Sequence, residues 1–252
     1  MMNCGHYPNT VSCFSFIKMH GLGNDYVYID CFQTHNAALI AQVDLPALAR
    51  RVSNRHTGIG SDGLVLIMPS KEADAKMRIF NADGSEAEMC GNAARCIGKY
   101  VYESGICHQS LIRLETLAGL KDLQVHTSLQ DGVTAVTVVM GTTLGNPHKV
   151  FITDEPVDTI AIYEIKGTNA EWVNVLNRNE IAVRVWERGS GETMACGTGA
   201  CAAAAAAMDQ GLTNNEVTVH LRGGDLFIRR DEQGVIYMTG PATEVFRGKW
   251  EM

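Results

Sequence analysis

The chain has 252 residues, 46% apolar and 19% charged, enough to bury a core of its own without disulfide or metal staples. Its net charge of −7 comes without a basic cluster, which argues against nucleic acid and anionic membrane surfaces as partners, and no apolar run approaches a membrane span. Eight cysteines in a mid-sized chain with no signal-peptide pattern and no C-x-x-C point to reduced thiols in a cytoplasm, not to a disulfide framework or a zinc knuckle.

Residues 1–12 show no periodicity and read as a tail. Cys13–Lys18 and Tyr26–Cys31 read as strands around the loop Gly21-Leu22-Gly23-Asn24-Asp25, in which Asn24 taken alone is a turn residue. A helix follows, capped by Asp44, with Pro46 in its first turn and Leu45, Leu48, Ala49 and Val52 on one face. The glycines of Gly58-Ile59-Gly60-Ser61-Asp62-Gly63 serve tight turns, and Leu64–Met68 and Lys76–Phe80 are strands that lead through Asn81 to Cys90. The next helix turns Ala93, Ile97, Tyr100 and Val101 toward a core and places Arg95, Lys99 and Glu103 on a polar strip. Strands at Leu111–Leu117, Leu120–Val125 and Val133–Met140 close the first half.

Beyond the Gly141–Gly145 crossing, Lys149–Ile152, Trp172–Val175 and Ile181–Trp186 read as strands. Gly197–Gln210 is a helix so rich in alanine that its surroundings must approach it closely. Glu216–Leu221, Leu226–Arg230, Val235–Thr239 and Ala242–Phe246 complete the chain as strands.

Two stretches echo each other: Met89-Cys90-Gly91-Asn92-Ala93-Ala94-Arg95-Cys96 and Ala195-Cys196-Gly197-Thr198-Gly199-Ala200-Cys201. A glutamate precedes each cysteine by four residues (Glu86, Glu192), and a helix-ending glycine follows each by fifteen (Gly105, Gly211). Upstream, Gly23-Asn24-Asp25-Tyr26 is matched by Gly145-Asn146-Pro147-His148. The expected architecture is therefore α+β, with two pseudo-symmetric domains, each a curved, mostly antiparallel sheet around a central helix. Residues 13–141 carry Cys90 and residues 145–252 carry Cys196, with the C-terminal strand open to pairing with the first sheet.

Each cysteine falls at a helix N-terminus, where unpaired N–H groups favour negative charge, so each thiol is expected to ionise more easily than a free one. Four uses present themselves. A redox dithiol suffers from the absence of C-x-x-C, a metal site from the absence of ligands at the right spacing, and a single Cys–His148 nucleophile leaves the other cysteine idle. Proton transfer uses both: one thiolate removes a proton from a carbon while the other thiol supplies one from the opposite face. Two helix N-termini aimed at one carboxylate would then stabilise the charge left on an amino acid without a cofactor.

Across nearly its whole length the chain resembles the diaminopimelate epimerase family. The motifs are Lys18-Met19-His20-Gly21-Leu22-Gly23-Asn24-Asp25, Phe80-Asn81-Ala82-Asp83-Gly84-Ser85, the two cysteine stretches, Gly145-Asn146-Pro147-His148 and Glu187-Arg188-Gly189-Ser190-Gly191-Glu192-Thr193. The resemblance implies interconversion of LL- and meso-diaminopimelate by Cys90 and Cys196, with Cys90 taking the proton from the LL form, and with no pyridoxal phosphate, no other cofactor and no metal. It implies substrate contacts from Asn24, Asn81, Asn146, Asn169, Glu187 and Arg188, backbone donors from Gly91-Asn92 and Gly197-Thr198, and a homodimer. His148 is either a structural hydrogen-bonding group or part of the site wall. A racemase of another amino acid on the same fold, or a non-catalytic amino-acid-binding relative, are the alternatives; Asn92, where proline racemase-like relatives tend to carry histidine, speaks against the first. The joint Thr142-Thr143-Leu144 and the stretch from His148 to Asn169 are shorter than is usual in the family. So short a joint leaves little chain to cross between domains, and loop segments are expected to be missing from the string.

Overall fold

The computed structural model describes residues 13–142 and 147–251. In the first half, β1 (Cys13–Gly21) turns through Leu22-Gly23 into antiparallel β2 (Asn24–Asp30). Two helices, α1 (Thr34–Ile40) and α2 (Leu45–Ser53), return the chain to β3 (Gly63–Met68), parallel to β2. Then come β4 (Ala75–Asn81), the short β5 (Glu86–Ala87) folded back on it, α3 (Gly91–Glu103), and β6 (Leu111–Thr116), β7 (Gly119–Ser128) and β8 (Gly132–Gly141). The second half runs β9 (His148–Thr153), a 3-10 turn at Val157–Thr159, β10 (Asn169–Asn177), β11 (Glu180–Glu187), β12 (Gly191–Thr193), α4 (Gly197–Asp209), β13 (Glu216–Leu221), β14 (Gly224–Arg230), β15 (Ile236–Gly240) and β16 (Thr243–Glu251).

Every pairing from β2 to β8 recurs in the same sense from β9 to β15. β2 and β3 are parallel, as are β9 and β10, and the β4–β6 parallel crossing returns as β11–β13. Two separate sheets were expected, but β8 pairs antiparallel with β15, so the halves join into one continuous strand path. That seam also accounts for the short joint. Because the halves already touch, only residues 142–147 need link β8 to β9. The last strand, β16, crosses back to pair with β1.

Local chemistry explains the elements. Asp44 accepts the Ala47 N–H at 3.1 Å, and proline sits in the first turn of α2, as its sequence requires. Gly105 and Gly211 take positive φ (74° and 68°) just past the ends of α3 and α4, where a residue with a Cβ would be strained. The seven-residue α1 was not foreseen, because it is too short to show a helical period; buried Asn36 ties it to the Ser15 and Asp30 carbonyls.

α3 buries Ala93, Ala94, Ile97 and Val101 against β7 and β8, and α4 buries Ala200, Ala203, Ala204 and Ala207. A Cβ at Gly98 would meet Val136 Cγ1 at 3.0 Å, so α3 lies close on its sheet. Trimming Ile97 to alanine in so dense a core should cost about 2–5 kcal/mol. Lys99 and Glu103 form the expected surface pair at 2.7 Å. Arg95 does not share their strip: it is 0% exposed, because α3 is wedged between its own sheet and the return crossing at Pro241.

Candidate active site

The two cysteines hold equivalent places. Cys90 is the N-cap of α3 (φ −137°, ψ 119°) and Cys196 the N-cap of α4 (φ −118°, ψ 117°), both in the extended conformation that opens a helix. A short hairpin delivers each one and a bidentate ion pair anchors each hairpin: Arg78 to Glu86 at 2.7 and 3.0 Å, Arg184 to Glu192 at 2.8 and 3.0 Å. The glutamates that echo in the sequence are thus structural.

Both cysteines line one cleft of about 1060 Å³ between the halves, together with Gly91, Asn92, Gly197 and Thr198. The helix tips approach one another over Met238. A Cβ at Gly91 would come 2.6 Å from Met238 Cε, and one at Gly197 would come 3.1 Å from its sulfur, so the glycine after each cysteine permits the approach. Asn92 crosses the gap, its Nδ2 donating to the Ala195 carbonyl at 3.3 Å and to Asn24 Oδ1 at 3.1 Å.

Asn24, Asn81, Asn169, Glu187 and Arg188 all line this cleft. The Cys90 thiol donates to Asn24 Oδ1 at 3.6 Å. Asn81 donates to Ser85 Oγ at 3.0 Å, and Asn169 Oδ1 accepts the Arg188 backbone N–H at 2.9 Å. Glu187 accepts from the Thr193 hydroxyl at 2.6 Å, and the Arg188 side chain is exposed at the rim. Asn146 lies outside the described residues. His148 does not line the cleft: its ring, 6% exposed, lies behind the wall with Nδ1 2.7 Å from Glu171 Oε1.

Three contributors escaped the sequence reading. Asp62, in the loop read as tight turns, accepts from Asn24 Nδ2 at 2.8 Å and from the Asp25 N–H at 3.0 Å, and so orients Asn24. Tyr26, read only as a strand residue, is a wall residue beside Cys90. Glu171 is fully buried with Oε2 unbonded, and it shares strand parity with core residue Val173, facing α4; a glutamate on the inward face of an apolar strand was the available signal.

The expectation that helix N-termini make both thiols easier to ionise is overturned. Burial pushes Cys90 up despite N–H groups of Ala93 and Asn92 and the Tyr26 hydroxyl, all of which favour its thiolate. Cys196 is pushed up further, first by burial and then by the Glu187 carboxylate, with Glu171 adding to it against the Thr198 hydroxyl and the Gly199 N–H. Burial likewise raises Glu187. Desolvation outweighs the helix contribution because both sulfurs sit down in the cleft, Cys196 buried and Cys90 half-buried.

Two facing helix tips, each capped by cysteine over a common cleft on a duplicated α+β frame, make up a fold that solved structures share. A PhzF-family phenazine biosynthesis protein from Bacillus anthracis shares the fold with a TM-score of 0.74 at 13% identity, over 95% of this chain and 99% of that one. A hydroxyproline epimerase from Agrobacterium vitis shares it with a TM-score of 0.65 at 13% identity, over 96% and 93%. The chain itself belongs to the diaminopimelate epimerase family, a family of isomerases: the family model matches residues 16–145 and again 142–245, one match to each half. Diaminopimelate epimerases from Acetivibrio thermocellus and Moorella thermoacetica are each 44% identical over 94% of this chain, covering 98% and 99% of their own lengths. These alignments run to 285 positions, more than the chain contains, so the relatives carry residues that have no counterpart in this chain.

Proposed function

We propose that this chain interconverts LL- and meso-2,6-diaminopimelate in the cytoplasm, as a homodimer and without a cofactor, with Cys90 and Cys196 as the two acid–base groups. The observation that carries this reading is that both helix-capping cysteines open into the same cleft. One thiolate takes the α-proton, the C–H electron pair moves into the adjacent carboxylate, and the other thiol gives its proton to the opposite face of the carbon. The cysteines finish with their protonation states exchanged, ready for the reverse reaction.

The N–H groups of α3 and α4 favour the charge that develops on the carboxylate. At the other end of the substrate, Arg188 pairs with the distal carboxylate and Glu187 accepts from an ammonium, while Asn24, Asn81, Asn146 and Asn169 offer both donors and acceptors. In this reading one domain comprises residues 13–141 with β16 added to its sheet, and the other begins at residue 145. Cys90 takes the proton from the LL form in this reading.

Solvent deuterium uptake at the α-carbon tests the proposal. The parent protein should exchange and invert LL-diaminopimelate, and Cys90→Ala or Cys196→Ala should each abolish inversion. A parent that binds the amino acid with no exchange would show a binding protein instead.

A further inference from the structure

Arg95 is among the largest fully buried side chains of the molecule, and no carboxylate pairs with it among the described residues. Its Nε donates to the Pro241 carbonyl at 3.1 Å, Nη1 reaches the Met238 sulfur at 3.6 Å, and Nη2 is buried without a partner. Space has been left for it. A Cβ at Gly21 would fall 2.7 Å from Nη2, and one at Gly240 would fall 3.3 Å from Nε. Burying a guanidinium costs several kcal/mol unless an anion offsets it, so a cation kept here without a carboxylate needs another counter-charge.

Its position suggests which one. Arg95 follows Cys90 by five residues on α3, and the Met238 side chain it holds lies under both Gly91 and Gly197, the first residues of the two helices. The ionisable groups facing it are Cys96 of α3 and Cys90 at the start of that helix, Tyr28 of β2 and Cys201 of α4. Glu187 faces both catalytic candidates and Glu171 faces Cys196, so the acidic groups around the cleft oppose thiolate formation. In the two-thiol reaction, on which this inference rests, one of Cys90 and Cys196 is a thiolate whenever the other is a thiol. The negative charge changes sides, and a fixed cation that faces Cys90 from the same helix favours the state in which the charge rests there.

We propose that Arg95 is the fixed counter-charge of the Cys90 thiolate. It is a positioning residue, acting through its field rather than by touching substrate.

The test uses the full-length Cys196→Ala protein, with alkylation of Cys90 by iodoacetamide followed across pH by peptide mass spectrometry. Arg95→Met and Arg95→Gln should each raise the alkylation midpoint by about one pH unit, a roughly tenfold slower reaction at neutral pH. Arg95→Lys, which keeps the charge but loses the fork, should stay within about 0.3 unit of the parent. With both cysteines present, the acid limb of kcat/KM should move by the same amount, while Arg95→Met melts no lower than Arg95→Lys. Unchanged midpoints in both neutral variants, with activity falling only in step with melting temperature, would make Arg95 a packing residue and overturn the proposal. A parent unable to invert diaminopimelate would instead refute the reaction, and the alkylation midpoints would still report on Arg95.

Discussion

At corresponding strand positions the first half carries Tyr26, Val65 and Asn81, and the second carries His148, Glu171 and Glu187. The scaffold was copied faithfully and the charges were not. The halves also differ in bulk. Two helices link β2 to β3, and β1 covers the outer edge of β2, whereas a 3-10 turn serves between β9 and β10, and no strand pairs with the outer edge of β9 among the described residues. The hairpin and helix that aim each cysteine are present in both halves. The charge difference has a chemical consequence: two thiols in identical surroundings would ionise alike, whereas Glu187 and Glu171 beside Cys196 add to the upward push that burial gives it.

The strongest way to break this comparison is to remove one thiol at a time. Cys90→Ala and Cys196→Ala should each lower the inversion rate by at least about 10²–10⁴-fold, the usual contribution of a positioned acid–base group, measured by polarimetry or a coupled assay. Unequal losses, with one variant near the parent rate, would reduce the pair to a single base.

Next in size is the buried pair behind Cys196. Glu171→Ala strands His148 in the core and should cost about 3–5 kcal/mol in urea unfolding, whereas Val65→Ala at the equivalent first-half position loses only apolar contacts, about 1–2 kcal/mol. Equal costs would mean that the His148–Glu171 contact contributes nothing beyond packing.

The two thiols should also titrate in order. With both pushed above the ordinary cysteine value of about 8.5, kcat/KM should still be climbing above about pH 8.5 as the base ionises, and Cys90 should be alkylated at lower pH than Cys196. Glu187→Gln should narrow that interval by bringing Cys196 down, because Glu187 ranks above every other neighbouring group in raising Cys196 and acts less on Cys90. The smallest effect concerns the hairpin anchors. Arg78→Ala should cost about 1 kcal/mol, and Arg184→Ala about 2 kcal/mol, because Arg184 also donates to the Val157 and Ile160 carbonyls.

Much of this was legible in the string, for reasons particular to certain residues. The Cys-Gly pairs, with alanine-rich runs behind them, mark helix starts, and the fifteen-residue spacing to Gly105 and Gly211 marks their ends. The duplication showed because both motifs survived. What stayed hidden depended on long-range contacts. The β8–β15 seam follows from edge pairing between strands far apart in sequence, and no periodicity announces it. Arg95 falls at a helical position that reads as surface, and contacts from residues far away in sequence, Gly21, Met238, Gly240 and Pro241, bury it. The helix N-terminus predicted easily ionised thiols, while the depth of burial that reverses the effect depends on how the halves close together.

The account stands or falls on where the two sulfurs lie about a bound substrate. In a crystal of the protein with diaminopimelate, Cys90 Sγ and Cys196 Sγ should flank one α-carbon on opposite faces, each about 3–3.5 Å from it and so roughly 6–7 Å apart. Sulfur atoms on the same face of the substrate, or one of them separated from it by the wall of the cleft, would contradict the two-thiol account.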